Sequence, residues 1–474
     1  MSDGKFMILG AGPAGIAAAY TLTRAGRKNV AVIERASVAG GNAASFMMDG
    51  IWCDYGSHRF HPAADPAVLA DVKELLGENL LLQPRHGRIR LGGRWIHFPL
   101  KPLDALLHLP KSFGFSLVFD SLLKPFRKKP GGERTFETIL YEGLGPTISE
   151  NFYFPYVRKL WGLEPEKLAV TLAERRISSG SVGKILTKML KTVPGVPKDP
   201  TSGRFFYPRK GFGQIAATMQ DRAEAAGAEF RLDHDITKIE REGNKVTAVH
   251  ISHDGETVRH ATNQVLSTIP LTALCRIIDP PPPAEVIEAA RAIRFRGMIL
   301  IYLVLETDQF TEYDAHYFPE TSIPISRMSE PKNYNSSTEP KATTILCAEL
   351  PCDPDEKWWS MSDDELGAAF CEWLGQLGLP VTCKVKRTET RRLSHAYPVY
   401  DVGYQQKFDT VDQWLLGLDG LLVFGRQGLF AHDNTHHAFA MAYAAANSLD
   451  EAGHLDRTKW DAHREEFTHH TVED

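Results

Sequence analysis

The sequence predicts an α/β fold in which a Rossmann-like domain, built on a parallel sheet, is interleaved with a second, α+β domain. Three observations predict it. A short apolar run, Lys5 to Leu9, passes at once into a glycine turn, an alanine-rich helical stretch to Arg24 and a second strand, Asn29 to Ile33. The same strand, glycine turn and helix pattern recurs from Leu421 to about Asn447. Between the two, apolar strand signals at 297–305, 343–350 and 383–391 flank a Trp-rich helical stretch from Trp358 to Leu377.

The opening turn reads Gly10-Ala11-Gly12-Pro13-Ala14-Gly15. Gly10 suits the tight turn, Gly12 lets backbone approach a pyrophosphate, and Gly15 lets the helix pack closely on the strand. The helix start then offers unpaired N–H groups and a positive dipole end to phosphates. Glu34, which ends the second strand, stands where an acid accepts the hydroxyls of an adenosine ribose. Strand, turn, helix, strand and acid in this order predict a bound dinucleotide.

Composition narrows the rest. The 474 residues are 43% hydrophobic and 24% charged, with a formal net charge of −5, as in ordinary enzyme-sized globular proteins. No one-sided basic footprint points to nucleic acid. The six cysteines form no C-x-x-C pair, which argues against a zinc cage or disulfide framework and for a reducing compartment. The start of the chain lacks the pattern of a secretory signal, and no run is apolar for long enough to span a bilayer, so a cytoplasmic location is expected.

A second glycine pair follows the ribose acid, in Glu34-Arg35-Ala36-Ser37-Val38-Ala39-Gly40-Gly41-Asn42. This block resembles the extended flavin fingerprint of the amine oxidase, protoporphyrinogen oxidase and UDP-galactopyranose mutase superfamily. The resemblance implies FAD as cofactor and a glutathione reductase type of FAD domain, with Arg35 near the adenosine and Gly40, Gly41 and Asn42 along the pyrophosphate and flavin ring. Further islands carry the resemblance from residue 5 to about 447. Gly56-Ser57-His58-Arg59-Phe60-His61 is similar to a mutase segment beside the flavin. Lys159-Leu160-Trp161-Gly162 is similar to one whose tryptophan lies in the substrate cleft. Ile325-Ser326-Arg327 resembles a stretch whose arginine faces flavin and substrate phosphate, which suits the planar, permanently charged guanidinium. Tyr207 to Gly213 looks like the return to the FAD domain, with Gly213 close to the flavin. Gly425-Arg426, followed by Asn434, Thr435 and His436 at a helix start, resembles the element whose positive end points at the flavin ring.

The resemblance therefore implies His58, Trp161 and Arg327 as catalytic residues. It implies a cofactor set of Gly10, Gly12, Gly15, Glu34, Arg35, Gly40, Gly41, Asn42, Gly56, Ser57, His58, Gly213, Gly425, Arg426, Asn434, Thr435 and His436. Mutases hold the substrate diphosphate with two tyrosines where this chain has Phe430 and His432, so the expected chemistry is hydride transfer between a substrate carbon and flavin N5, protoporphyrinogen oxidase-like. The alternative is non-redox isomerisation of a sugar nucleotide on reduced FAD. The substrate is a small molecule, lipophilic or a sugar nucleotide. The run His432, His436, His437 has no further placed ligand and is not read as a metal site.

The expected FAD domain comprises residues 1–92, 204–270 and 421–474, with a three-stranded cap near 236–258; the substrate domain comprises 93–203, mainly helical, and 271–420. Within 98–129, apolar stretches end in Lys124, Arg127, Lys128 and Lys129, a pattern that fits a membrane surface as well as a buried helical lobe. Nothing in the sequence sets the oligomeric state.

Overall fold

The computed structural model describes residues 6–99, 104, 107–109, 111–123, 132–176, 201 and 203–472. Five parallel strands form the first sheet, in the order Leu421–Val423, Val265–Ser267, Phe6–Leu9, Val30–Ile33 and Glu229–Arg231. Phe-Met-Ile-Leu and Val-Ala-Val-Ile are apolar at every position because both faces of the sheet are covered. Phe6, Ile8, Val30 and Val32 join a core with the helices Pro13–Arg24, Gln214–Ala225 and Thr435–Asn447. Met7, Leu9, Ala31 and Ile33 join another with helices Phe136–Gly143 and Phe154–Trp161 and the cap sheet.

That cap holds four strands. Asp235–Glu242, Lys245–His253 and Glu256–Ala261 are antiparallel, as the three-stranded reading expects, and Ile278–Asp279 adds a short parallel edge. Two residues are too few to show a period, which hides this edge in the sequence.

The seven-stranded sheet runs in the order Val385–Pro398, Phe295–Leu305, Thr344–Pro351, Arg327–Ser329, Ala315–Tyr317, Gly87–Leu91 and Arg94–Phe98. Ile299, Ile301 and Leu303 pack under helix Asp363–Gln376, while Met298, Leu300, Tyr302 and Val304 pack on the hairpin Ser45–Met48 and Ile51–Asp54. The helix starts at Asp363 rather than at Trp358, because Ser362 and Glu365 form a capping box there and Lys357–Ser360 turns as a 3-10 segment. The division expected between residues 92 and 93 falls in the turn of a hairpin whose two strands enter this sheet together. The 93–203 stretch contributes that second strand as well as its helices. No helix among the described residues is long and apolar enough to cross a membrane.

Candidate active site and cofactor cleft

A cavity of about 640 Å³ lies where the crest of the parallel sheet meets the seven-stranded sheet. Two helix starts open into it. Gly12, Pro13 and Ala14 line it at the start of helix Pro13–Arg24, and Asn434, Thr435 and Ala438 at the start of helix Thr435–Asn447. At the first, Gly10 adopts φ +96°, and its N–H donates to Ile33 O at 2.8 Å, which ties the turn to the second strand. A Cβ on Gly15 would stand 1.9 Å from Gly10 O, so no larger residue fits between helix and strand. A Cβ on Gly12 would meet no protein atom within 4 Å and would project into the cavity instead. Glu34 accepts from Ala11 N at 2.8 Å and Ala36 N at 2.9 Å, and its carboxylate lines the same wall. Each carboxylate oxygen keeps a lone pair for a ribose hydroxyl.

Of the expected residues, Gly10, Gly12, Glu34, Arg35, Gly41, Asn42, Ser57, His58, Arg327, Arg426, Asn434 and Thr435 line this one cavity. The others stand behind it. Gly15 and Gly425 serve close packing: a Cβ on Gly425 would lie 2.8 Å from that of Ala14. Gly40 turns at φ +112° ahead of Gly41. Gly213 leaves no room for a Cβ against Ser45 N, and its own N–H donates to Ser45 Oγ at 2.7 Å. Gly56 gives Glu349 room. His436 is buried against Phe60 and His437, with its pKa pulled down to about 3, chiefly by burial.

Trp161 is not in the cavity wall, contrary to the expectation from the sequence. It ends helix Phe154–Trp161 and is itself buried; its indole N–H donates to Pro398 O at 3.2 Å, and its ring backs Tyr397 and His432, with the Arg176 guanidinium 5.1 Å from its centre. A buried indole N–H needs an acceptor, and the carbonyl behind the wall supplies it.

Arg327 is held by a partner the sequence reading missed. Its Nε donates to Glu349 Oε1 at 3.0 Å and its Nη2 to Oε2 at 2.9 Å, a two-bond grip. The pair is directly opposed across neighbouring strands, and Tyr317 opposes Arg327 on the other side, so Tyr317, Arg327 and Glu349 form one rung on one face. Glu349 also accepts the Ser57 N–H at 2.8 Å, which fixes the His58 segment to the rung. The sequence signal for Glu349 is a single charge inside the strand Thr-Ile-Leu-Cys-Ala-Glu-Leu-Pro, buried throughout. Arg59, inside the Gly56 to His61 motif, also reaches the cavity, as do Tyr156, Tyr317, Tyr397, Arg176 and Arg392, which carry no such local signal.

His58 stacks on Phe212, with ring centres 5.1 Å apart. Burial, then the charges of Arg327 and Arg426, pulls its pKa down to about 3, so the imidazole is neutral at ordinary pH. His432 is held well below the usual histidine range by burial and by Arg176, Arg426 and Arg175. Behind this wall Asp54 accepts from Tyr207 OH at 2.6 Å and Phe212 N at 2.9 Å, and Tyr302 OH donates to Asp54 O at 2.6 Å. Through Asp54 the hairpin, the return segment and the large sheet are locked together.

Among the described residues the His-rich C-terminal motif groups Asp433, His437 and His470 within 4.8 Å, rather than His432, His436 and His437. Asp433 accepts from Arg175 at 2.9 Å and pairs with His470 at 2.8 Å, and His437 Nδ1 accepts the Asn434 N–H at 3.2 Å. Those bonds tie the start of helix Thr435–Asn447 to the end of the chain.

The cavity suits FAD by the buried polar atoms that line it. Ser57 Oγ, His58 Nδ1, Arg426 Nε, Gln427 Oε1 and His432 Nδ1 are buried without a protein partner, and all five residues line it. Arg426 donates to Asp433 O at 3.0 Å and Ala396 O at 2.7 Å, which holds its guanidinium at the cavity edge.

The flavin-containing amine oxidoreductase family model matches residues 13–426. Solved structures agree on the fold. A reduced UDP-galactopyranose mutase superposes with a TM-score of 0.78 at 20% identity, covering 94% of this chain and 95% of that one. A protein from Exiguobacterium sp. 255-15 assigned as a protoporphyrinogen oxidase gives 0.72 at 18% identity, covering 94% and 99%. Cyclohexylamine oxidase from Brevibacterium oxydans gives 0.64 at 16% identity, covering 94% and 98%. A search of curated protein sequences finds no match. With the match spanning most of the chain, the two helix starts facing one cleft and the unpaired polar atoms lining it, the chain belongs to the flavin-containing amine oxidoreductase family, and its cofactor is FAD.

Proposed function

We propose that this flavoenzyme acts on an anionic, phosphate-bearing sugar nucleotide and isomerises it without net redox change, as the name of the structurally similar mutase suggests. The observation that carries this reading is the charge of the wall. Seven arginines line the cavity (Arg35, Arg59, Arg176, Arg276, Arg327, Arg392 and Arg426) against four carboxylates (Glu34, Asp235, Glu349 and Asp433). An amine substrate, cationic in water, meets like charge there. A phosphate group complements that excess of positive charge. Tyr156, Tyr317 and Tyr397 line the same wall, so phenols are present although Phe430 and His432 occupy the tyrosine positions of the mutases. Arg327 lies near Tyr317, Tyr397 and Tyr156, and Arg176 and Arg426 near Tyr397, which makes one cationic and phenolic cluster.

Bound FAD supplies the electron-rich ring that this chemistry needs when reduced. The chain orients the substrate through Arg327 and the tyrosines, keeps His58 and His432 neutral so that they add hydrogen-bonding atoms without charge, and excludes water behind the Asp54 network. Phe430 and His432 are the observation that favours the second reading, hydride transfer with a substrate carbon. One experiment separates the two. Protein with photoreduced flavin is mixed anaerobically with UDP-hexoses. Ring-isomer formation with the flavin still reduced is the expected result; flavin oxidation in step with substrate loss overturns it.

A further inference from the structure

We propose that Arg59 is a positioning residue that leaves the Tyr317 hydroxyl one direction in which to give its proton, into the cavity, where it meets a phosphate oxygen of the substrate. This rests on the phosphate-bearing substrate argued above and goes beyond it in naming how the wall selects an acceptor. Arg59 Nη1 donates to Tyr317 OH at 2.7 Å, and Nη2 donates to Asp314 Oδ1 at 3.2 Å. The ring centres of Phe205 and Tyr334 lie 5.1 and 5.2 Å from the guanidinium carbon, so aromatic faces and hydrogen bonds together hold one orientation. Asp314 is fixed in turn, since its Oδ2 accepts the His86 N–H at 3.2 Å. The Arg59 and Asp314 side chains are 11% and 5% exposed, which makes them a buried ion pair rather than a solvated one.

A guanidinium has donors and no acceptor, so the phenolic proton cannot point at Arg59. Tyr317 donates to no protein group among the described residues, and it lines the cavity. A ligand group beside that hydroxyl must therefore accept. Arg327 repeats the logic on the neighbouring strand. Its Nε and Nη2 are taken by Glu349, while Nη1 donates to no protein atom among the described residues. Tyr317 and Arg327 are directly opposed, with the Arg327 guanidinium carbon 5.8 Å from the Tyr317 ring centre. Both side chains thus rise on one face from strands about 4.8 Å apart. Each has its other bonding side occupied by protein. A diphosphate, which carries several oxygens and accepts at all of them, matches such a pair of donors; an ammonium group would set donor against donor.

The test is binding of UDP and of uridine, which has the same base and sugar without the phosphates, to full-length, FAD-loaded protein by isothermal calorimetry. Tyr317→Phe is expected to weaken UDP by at least about tenfold, as for loss of one hydrogen bond to a charged oxygen, with uridine affinity and flavin absorbance unchanged. Arg59→Met/Asp314→Asn removes the ion pair as a unit. It should weaken UDP about tenfold alone and less than about twofold once Tyr317 is already Phe, because Arg59 acts through that hydroxyl. A Tyr317→Phe protein that binds UDP as tightly as wild type overturns the proposal and leaves the function proposed above in place. So does a loss shared equally by UDP and uridine, which marks a structural role. Full additivity of the two changes overturns the part given to Arg59. Wild-type protein that binds no UDP overturns the phosphate-bearing substrate, and this proposal falls with it.

Discussion

Two glycines of the opening turn, three residues apart, separate the cofactor cradle from the packing that supports it. Gly12 has extended backbone, φ −75° and ψ −179°, which any residue adopts, and a Cβ there meets no protein atom within 4 Å. In Gly12→Ala the lost preference at the helix start and the reduced freedom of the unfolded chain nearly cancel, so deflavinated protein should keep its stability to within about 0.5 kcal/mol. The new methyl instead occupies space where backbone must approach the pyrophosphate. A tenfold or greater loss of FAD affinity is expected, equivalent to about 1.4 kcal/mol, and the stabilisation given by saturating FAD should fall by the same amount. Gly15→Ala is different. Its Cβ would stand 1.9 Å from Gly10 O, a backbone atom that cannot swing away, so helix and strand must separate. Apo stability should drop by about 3 kcal/mol, the upper end of overpacking costs. Urea unfolding of deflavinated protein and titration with FAD, followed by flavin fluorescence, measure both quantities. A Gly12→Ala protein with wild-type FAD affinity, or one destabilised in its apo form as much as Gly15→Ala, would refute this division of labour.

Arg327→Ala leaves Glu349 buried with only the Ser57 N–H, and should cost about 3–5 kcal/mol in urea unfolding. Adding Glu349→Gln should recover at least about 1 kcal/mol of it, and strict additivity would show the two are uncoupled. Asp54 is raised by burial from 3.8 to about 6, against the lowering effect of the Ser45, Tyr207 and Phe212 donors. A raised acid favours its protonated folded form, so its contribution is full below about pH 4 and falls by about 3 kcal/mol as the pH rises to about 6. Asp54→Asn should flatten that slope in apo unfolding measured across the window, and an unchanged slope would place the titration elsewhere. Lys159 Nζ donates to Phe318 O at 2.6 Å and Ile325 O at 3.0 Å, and also to Glu320 O, although burial pulls its pKa down to about 7. Lys159→Met should strip hydrogen-exchange protection from 318–327, at roughly 1–3 kcal/mol per carbonyl left without a donor, with unchanged far-UV circular dichroism. Retained protection would mean that the loop holds itself.

The cofactor half was legible because its signals are local. Strand, glycine turn, helix and Glu34 fall within thirty-odd residues, and a strand covered on both faces reads as an unbroken apolar run. The substrate half hides its signals in two ways. Ala315–Tyr317 and Arg327–Ser329 are three residues each, too short to show any period, yet their pairing creates the rung on which Arg327 stands. Tyr156, Tyr317, Tyr397 and Arg176 reach the cavity from segments far apart in sequence, and nothing beside them marks a site. Trp161 shows the opposite failure. Its motif places it in a cleft, but Trp161 itself is buried, and the indole N–H donates to Pro398 O behind the cavity wall. The His-rich motif likewise finds its partners in Asp433 and in His470, thirty-seven residues further along, a juxtaposition that spacing alone does not contain.

This separation explains how one fold can serve both amine oxidation and sugar-nucleotide isomerisation. The segments that cradle the cofactor come from the chain ends and the crest of the parallel sheet, and the structures matched above share that frame. Under the proposed function, the charge that a substrate meets comes mostly from elsewhere, notably the rung of Tyr317, Arg327 and Glu349 and the strand carrying Tyr397. Glu349 touches both halves, since it grips Arg327 and accepts the Ser57 N–H beside His58. Its two oxygens set where the guanidinium points relative to the His58 segment. Under the proposed function, a rung altered at Arg327 is expected to change which substrate charge is welcome, while Gly10, Gly12 and Glu34, which line the same cavity, are left in place. Flavin colour retained and substrate preference changed is the signature that this arrangement requires.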